Sequence, residues 1–302
     1  VIPAAGRVVA PGFIDVHSHS DAFLLVEPSA PSKIYQGVTT EIVGNCGASA
    51  APLADPKWLP SDWQEHAYPG GWKSLAEYLD LLAAAKPATN VAALVGHGKL
   101  REWVLGRAAR AATAGELEQM RSLLGESLAA GGWGLSCGLI YAPGKWADRD
   151  ELCALAATAA RAGGIFTAHI RNEGGRLLEA LAEILEIGKQ AEVRVEISHL
   201  KTAGRANWHL LDAALASIRQ AAAEGLAVAA DRYPYLASCT DLDIVLPDWA
   251  IQGDRAAILE RLAKPEIRQR LAEELFGAGR SPAEVLIGST SLARFRGKLL
   301  TE

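Results

Sequence analysis

The sequence predicts an α/β fold, a (β/α)8 TIM-type barrel whose eighth strand is missing from these 302 residues. Short β-branched or apolar runs alternate with alanine-rich amphipathic segments, as in the βα units that build a parallel sheet. Seven such strands can be read, and polar side chains that can bind a metal follow several of them. Seven parallel strands in this order fit a barrel cut short better than they fit an open sheet.

The predicted strands and helices alternate along most of the chain. Strands are predicted over 12–15, 38–43, 90–95, 132–139, 164–168, 193–198 and 226–231. Helices are predicted over 74–86, 115–130, 149–162, 174–192 and 208–225. The Thr113-x-x-Glu116 capping box and Asp148 ahead of Glu151 mark the start of two of these helices.

Two segments fall outside this alternation. Residues 55–72, rich in Pro, Trp and Gly, have no hydrophobic period and are predicted to form a long loop, either a lid or an ordered surface loop. Val285 to Ile287 form a last short apolar run. Either this run is the closing strand or the chain is a fragment.

The composition limits the class of partner. Half of the residues are apolar and 22% are charged, which is typical of a soluble globular chain. The net charge of -5 comes without basic runs, so neither nucleic acid nor a membrane surface is an expected partner. Four widely spaced cysteines do not form a disulfide framework, which favours a cytoplasmic location.

An apolar run that ends in His17-x-His19 is the most informative stretch of the sequence. Successive side chains of a strand alternate between its faces, so both imidazoles point the same way. Imidazole is the commonest protein ligand for zinc and related ions. Two histidines alone also fit a hydrogen-bonded strand end, so the metal hypothesis needs further ligands.

Further candidate ligands follow other predicted strands. Cys46 follows the second strand, His169 the fifth and His199 the sixth, and Asp231 and Tyr233 follow the seventh. Barrel enzymes collect their chemistry at the carboxyl ends of the strands. Each residue alone could belong to the core, but four of seven histidines at strand ends together predict a metal site.

Three histidines are weaker candidates. His66 lies in the predicted Trp-rich loop, and His209 lies on a predicted helix. His97 follows the third predicted strand and is expected to brace that strand rather than to join the site.

Seven sequence blocks follow one another in a recognisable order: PGFIDVHSHSD, QGVTTEIVGNCG, VGHGKLR, GLSCGLIYAPG, TAHIRNEG, ISHLK and DRYPY. Together they resemble the N-acyl-D-amino-acid deacylases (D-aminoacylases) of the amidohydrolase superfamily. Many relatives in that superfamily hold their metals with a carboxylated lysine, whereas the D-aminoacylase group uses a cysteine after the second strand. No lysine occurs in residues 133–141, so Cys46 is the better candidate.

The resemblance implies a zinc enzyme. Cys46, His169 and His199 would hold one tightly bound Zn2+, and His17 and His19 would contribute to a second, weaker site. A zinc-activated water would attack the amide of a small-molecule N-acyl-D-amino acid and release a D-amino acid and a carboxylate.

The resemblance also implies roles in substrate binding. Tyr141 would donate a hydrogen bond to the carbonyl oxygen, and Lys201 with Tyr233 would bind the substrate carboxylate. Residues 236–249 contain no Arg or Lys, which favours a neutral or hydrophobic substrate side chain over an acidic one.

One part of the family pattern is missing. The family's general-base aspartate, in a Ser-Asp-Gly block after the eighth strand, and the arginine that follows it have no counterpart before Glu302. We therefore expect this aspartate beyond Glu302, and a truncated chain that binds zinc but does not turn over. Residues 1–10 are interpreted as a remnant of the family's small β-sandwich domain, and 11–302 as the incomplete barrel.

Two other functions remain open from the sequence. A cyclic amidohydrolase of the hydantoinase or dihydroorotase kind would need the carboxylated lysine that residues 133–141 lack. A non-catalytic metal-binding barrel would fit the missing aspartate.

Overall fold

A computed structural model describes residues 3–60, 62–253, 255–277, 285–288, 290 and 292–301. Eight strands occupy seven positions of a curved parallel sheet, because one predicted strand is split at Leu94. The strands are β1 (Phe13–Asp15), β2 (Val38–Val43), β3 (Asn90–Ala93), β4 (Val95–Gly96), β5 (Gly134–Gly138), β6 (Ile165–His169), β7 (Arg194–Ile197) and β8 (Val228–Ala230).

Every pairing between these strands is parallel, in the order β1-β2-β3 and then β4-β5-β6-β7-β8. The two groups adjoin at Leu94, whose N–H donates to the carbonyl of Val43 at 2.9 Å. All carboxyl ends therefore lie on one side of the sheet, as predicted for a barrel. Among the described residues β8 and β1 do not pair, so the sheet stays open between its first and last strands.

The first eight helices named here lie between strands, and the last two follow β8. They are α1 (Phe23–Val26), α2 (Pro31–Ile34), α3 (Leu75–Ala85), α4 (His97–Leu105), α5 (Ala114–Ala129), α6 (Arg149–Arg161), α7 (Leu177–Gln190), α8 (Leu211–Ala223), α9 (Arg255–Ala263) and α10 (Pro265–Gly277). The Thr113 capping box of α5 and the Asp148 cap of α6 form as predicted. No helix in the described part of the chain is both long and apolar enough to cross a membrane.

The core lies between the helices and the sheet. On β6, Phe166 and Ala168 are fully buried and belong to one apolar cluster with Leu181 and Ile184 of α7. The alternate residues of β6, Thr167 and His169, face the other way because strand side chains alternate. The inner face of the sheet is therefore free to carry polar groups.

Three sequence predictions can now be compared with the structure. Leu286 makes an isolated antiparallel bridge with Leu299, so reading Val285 to Ile287 as the closing parallel strand is wrong. The loop 55–72 is anchored by the buried side chains of Trp63 and Trp72, which fits an ordered loop rather than a lid. Residues 3–12 form no strand, and the interpretation of residues 1–10 as a β-sandwich remnant stays a prediction. Val1, Ile2, residues 278–284 and Glu302 lie outside the described residues.

Candidate metal and substrate site

Five candidate ligands from four strands meet at the carboxyl edge of the sheet. His169 is the last residue of β6, Cys46 lies three residues beyond β2, and His199 lies two residues beyond β7. His17 and His19 follow β1, where the Ser18 N–H still donates to the carbonyl of Ile42 at 3.0 Å. This pairing with β2 keeps the segment extended, which places both imidazoles on one face.

The ligand atoms form two groups that share Cys46. The atoms of Cys46, His169 and His199 lie within 4.8 Å of one another, and so do those of His17, His19 and Cys46. The Cys46 Sγ lies 3.4 Å from His17 Nε2 and 3.5 Å from His199 Nε2. The structure thus brings together all five residues that the sequence predicts as ligands.

His169 is the most informative member of the cluster. Its side chain is buried, and neither ring nitrogen has a hydrogen-bond partner among the residues that the structure describes. Burial lowers the pKa of His169 to about 3, so the imidazole is neutral and offers a lone pair. Buried polar atoms without partners are rare, and here they point at a thiol and a second imidazole, a donor set that fits zinc.

The Cys46 thiol is also deeply buried, and burial raises its pKa well above the ordinary value. The thiolate would therefore need a bound cation at this position to form near neutral pH. This dependence agrees with the ligand role that the sequence predicts for Cys46.

Two carboxylates orient the imidazoles. Asp231, just after β8, contacts His17 Nδ1 at 3.2 Å and accepts from the His199 backbone N–H at 2.6 Å. Glu173 Oε1 lies 2.9 Å from His199 Nδ1, which leaves the Nε2 of His199 facing Cys46. Such outer partners commonly fix the tautomer and orientation of metal-binding histidines.

Sequence reasoning missed Glu173, although it lies within the TAHIRNEG block. It also binds Lys201, whose Nζ donates to Glu173 Oε1 at 2.5 Å. Burial alone would raise the pKa of Glu173, but the hydrogen bonds from His199 and Lys201 and the charge of Lys201 lower it to about 2. Glu173 is therefore a carboxylate across the neutral pH range, and its strand-end position was the signal that could have found it.

The residues predicted to bind substrate lie beside the cluster. The ring of Tyr141 stacks edge-on against His169 with 5.0 Å between ring centroids, and the Tyr141 hydroxyl accepts from Thr240 at 3.2 Å. Lys201 Nζ lies 3.0 Å from His199 Nδ1 and 5.7 Å from the centre of the Tyr233 ring. The sequence prediction did not include the pairing of Lys201 with Glu173.

A second buried network lies behind the His17-x-His19 segment. The fully buried Glu41 of β2 accepts from Ser18 at 2.9 Å and from Ser20 at 2.6 Å. These serines lie on the opposite face from the histidines, so the carboxylate of Glu41 pins the segment without occupying the ligand face.

The remaining histidines do not reach the cluster. His97 begins α4 and is hydrogen-bonded through Nε2 to Glu151 at 2.6 Å. His66 stacks on Phe23 at 5.3 Å, and exposed His209 bonds the carbonyl of Ala206. The sequence prediction also treated these three histidines as weaker candidates for the metal site.

Comparison with known proteins agrees with this architecture. Residues 1–272 match the amidohydrolase family. The chain belongs to the amidohydrolase family.

Within this family the chain is similar to D-amino-acid deacylases, as the sequence blocks predicted. It is 40% identical over 273 residues to an N-acyl-D-glutamate deacylase and 38% identical over 276 residues to a D-aminoacylase, both of Alcaligenes xylosoxydans xylosoxydans. These matches cover 90% and 91% of this chain but 55% and 56% of the relatives, so the amidohydrolase chain spans about half of their length.

A solved structure shows the same relationship. The N-acyl-D-glutamate deacylase of Bordetella bronchiseptica, complexed with zinc and a phosphonate that mimics the tetrahedral intermediate, superposes with a TM-score of 0.73 at 40% identity. The superposition covers 77% of this amidohydrolase chain and 49% of that protein. A D-aminoacylase described as having a binuclear metal centre superposes with a TM-score of 0.70 at 38% identity, over 75% of this chain and 48% of that one.

Proposed function

We propose that the chain carries the metal site and part of the substrate site of a zinc-dependent N-acyl-D-amino-acid deacylase. The reaction is hydrolysis of the amide bond of a small N-acyl-D-amino acid to a D-amino acid and a carboxylate. The observation that carries the proposal is the buried cluster of the Cys46 thiol with the imidazoles of His169 and His199. The ring nitrogens of His169 have no hydrogen-bond partner among the described residues.

Cys46, His169 and His199 would hold one Zn2+ tightly, and His17 and His19 with Cys46 would form a second, weaker site. When bound, zinc supplies Lewis-acid polarisation of the amide carbonyl and activation of a water molecule. Residues of the chain orient this chemistry: Glu173 and Asp231 set the directions of His199 and His17.

The substrate would be held next to this cluster by its carboxylate and its carbonyl. Lys201, beside the Tyr233 ring, would supply the positive charge that binds the substrate carboxylate. The substrate carboxylate would compete with Glu173 for this ammonium group. The Tyr141 hydroxyl, beside His169, would donate to the carbonyl oxygen as negative charge develops there.

Proton transfer needs a carboxylate that is free to accept. Asp231 is held by His17 and the His199 backbone, and Glu173 by His199 and Lys201. We therefore assign neither of them as the general base.

The substrate side chain is proposed to be neutral or hydrophobic. Residues 236–249 follow the Tyr233 region, and Thr240 within them bonds Tyr141, so this segment borders the substrate position. It contributes no Arg or Lys that could pair with a second carboxylate.

The test compares zinc content and hydrolysis of N-acetyl-D-leucine and N-acetyl-L-leucine, using the full-length protein. Zinc with D-selective release of acetate supports the deacylase. A ring-opening activity on hydantoin or dihydrouracil would favour the cyclic amidohydrolase, which β5 disfavours because Gly134–Gly138 contains no lysine. Zinc without hydrolysis of any of these compounds would overturn both in favour of a non-catalytic metal-binding barrel.

A matched pair of variants tests the carboxylate contact. Lys201→Met should raise KM by about 10-fold or more, because a charge-assisted hydrogen bond to the substrate is lost. Lys189→Met removes an equivalent charge from an exposed pair with Glu224 and should leave KM unchanged.

A further inference from the structure

A hydroxyl group of β5 closes the turn that carries Cys46. Ser136 Oγ donates to the Gly44 carbonyl at 2.5 Å and accepts from the Gly47 N–H at 3.1 Å. Ser136 is fully buried, so water does not compete for either bond. One hydroxyl thus joins the two ends of the turn 44–47.

The turn needs such a closure because its backbone is unusual. Cys46 has a φ of 53°, and its neighbours Gly44 and Gly47 have φ values of 79° and 74°. Glycine adopts these angles freely, but a cysteine in the left-handed region meets steric resistance. A non-glycine residue keeps such a conformation only where its surroundings impose it.

The neighbouring strands press closely on the turn. A Cβ atom on Gly138 of β5 would lie 2.1 Å from the Cys46 carbonyl oxygen, and one on Gly96 of β4 would lie 2.5 Å from the Gly47 carbonyl oxygen. The turn therefore rests directly on the backbones of β4 and β5. Ser136, between Gly134 and Gly138 on the same face of β5, supplies the side chain that bonds it there.

We propose that Ser136 is a positioning residue for the metal centre. Its hydroxyl holds the turn 44–47 in the conformation that places the Cys46 thiol against His199 and within reach of His169. The inference rests on the proposed function, because it assumes that Cys46 binds the metal. Ser136 acts through the turn and not as a ligand.

The test measures metal binding by the purified chain. Ser136→Ala should weaken zinc binding by about 10- to 100-fold, the range found when an outer partner of a metal ligand is removed. In protein refilled with Co2+, the near-ultraviolet charge-transfer band from thiolate to cobalt should weaken or shift, because the thiol no longer sits in its place. Circular dichroism checks that the variant is folded.

Two variants serve as controls. Thr167→Val removes a buried hydroxyl from the neighbouring position of β6, where no described residue hydrogen-bonds it, and should leave zinc affinity and the cobalt band unchanged. Ser136→Thr keeps the hydroxyl and should bind zinc more tightly than Ser136→Ala.

The outcomes separate this inference from the proposed function. Unchanged zinc affinity and cobalt band in Ser136→Ala, with a wild-type chain that binds zinc, would overturn the role of Ser136 alone. Equal losses in the Ala and Thr variants would also overturn it, since the hydroxyl would then not be the cause. A wild-type chain that binds no zinc would overturn the proposed function and this inference together.

Discussion

Cys46 is the residue on which both candidate metal positions depend, since its Sγ belongs to both groups of ligand atoms. Cys46→Ala should therefore weaken binding of zinc at both positions, by at least about 100-fold, the upper end of the loss seen for outer partners alone. His17→Ala should affect only the second position. Zinc stoichiometry after dialysis measures both effects.

The control for Cys46 is another thiol. Cys153→Ala removes a partly exposed thiol of α6 that donates to Gln190 and lies outside both ligand groups. Stoichiometry should stay at the wild-type value. Retention of zinc by Cys46→Ala would contradict the assignment.

The carboxyl group of Glu196 of β7 should make the stability of the fold depend on pH. Burial, followed by the charge of Asp231, raises the pKa of Glu196 to about 7. The folded chain therefore holds this proton more tightly than the unfolded chain, whose carboxyl has its ordinary value of 4.5. Below about pH 4.5 the carboxyl is protonated in both states and does not lower the free energy of unfolding. As the pH rises from about 4.5 to about 7, the unfolded chain loses this proton first, and the free energy of unfolding falls.

Glu196→Gln should remove this dependence. Between pH 5 and pH 8, the free energy of unfolding of the metal-free wild type should fall relative to the variant by about 2 kcal/mol, after allowance for partial exposure. Urea unfolding at both pH values measures the difference. Exposed Glu118→Gln should follow the wild type, and parallel behaviour of Glu196→Gln would refute the prediction.

At the scale of elements, α4 and α6 are joined by a buried charge network. Glu151 of α6 accepts from Arg101 at 2.5 Å and bonds His97 at 2.6 Å, and all three side chains are at most 2% exposed. Removing one partner leaves an uncompensated buried charge, so Glu151→Ala should lower the free energy of unfolding by about 3–5 kcal/mol.

An exposed ion pair provides the comparison for this network. Glu118 and Arg121 of α5 are 2.7 Å apart but have side chains 70% and 37% exposed, so Glu118→Ala should cost less than about 1 kcal/mol. Chemical denaturation measures both losses. A similar cost for the two variants would show that burial adds nothing to the α4–α6 network.

Helix α4 shows where prediction from sequence fails. A capping box, an N-cap aspartate and apolar spacing correctly predict α5 and α6, because those signals are local. In α4 the residues Lys99 and Arg101 look like a solvated surface, yet both are buried. Arg101 is neutralised by Glu151 of α6, which is distant in sequence, whereas Lys99 is neutralised by Glu102 of its own helix. The split between β3 and β4 was also missed, since hydrogen bonding and not composition defines it.

Across the whole molecule, the sequence predicted which residues meet but not how they are held. Strand-end positions were enough to collect the five candidate ligands, because parallel strands end on one side of a barrel. The supporting groups Glu173, Glu41 and Ser136 were missed. The roles of Glu41 and Ser136 depend on contacts between segments far apart in the chain, for which one sequence has no periodic signal, whereas Glu173 follows a strand end.

The candidate metal site spans the open side of the sheet, and this gives a prediction for the whole chain. Cys46 and His17 come from the β1-β2-β3 group, and His169 and His199 from the β4–β8 group. A bound ion would tie the first strands to the last ones, where β1 and β8 do not pair among the described residues. Ligand binding to the folded state alone stabilises it by RT ln(1 + [L]/Kd), about 3 kcal/mol at 100 times Kd.

Zinc at that concentration should therefore raise the free energy of unfolding of the wild type by about 3 kcal/mol, and a chelator should reverse the gain. His169→Ala should lose most of the gain, since it removes a candidate ligand whose ring nitrogens make no hydrogen bond with any described residue. His209→Ala, which changes an exposed histidine far from the ligand groups, should keep the full gain. Equal zinc stabilisation of all three proteins would mean that the ion binds elsewhere, and the two halves of the sheet would then be held together without it.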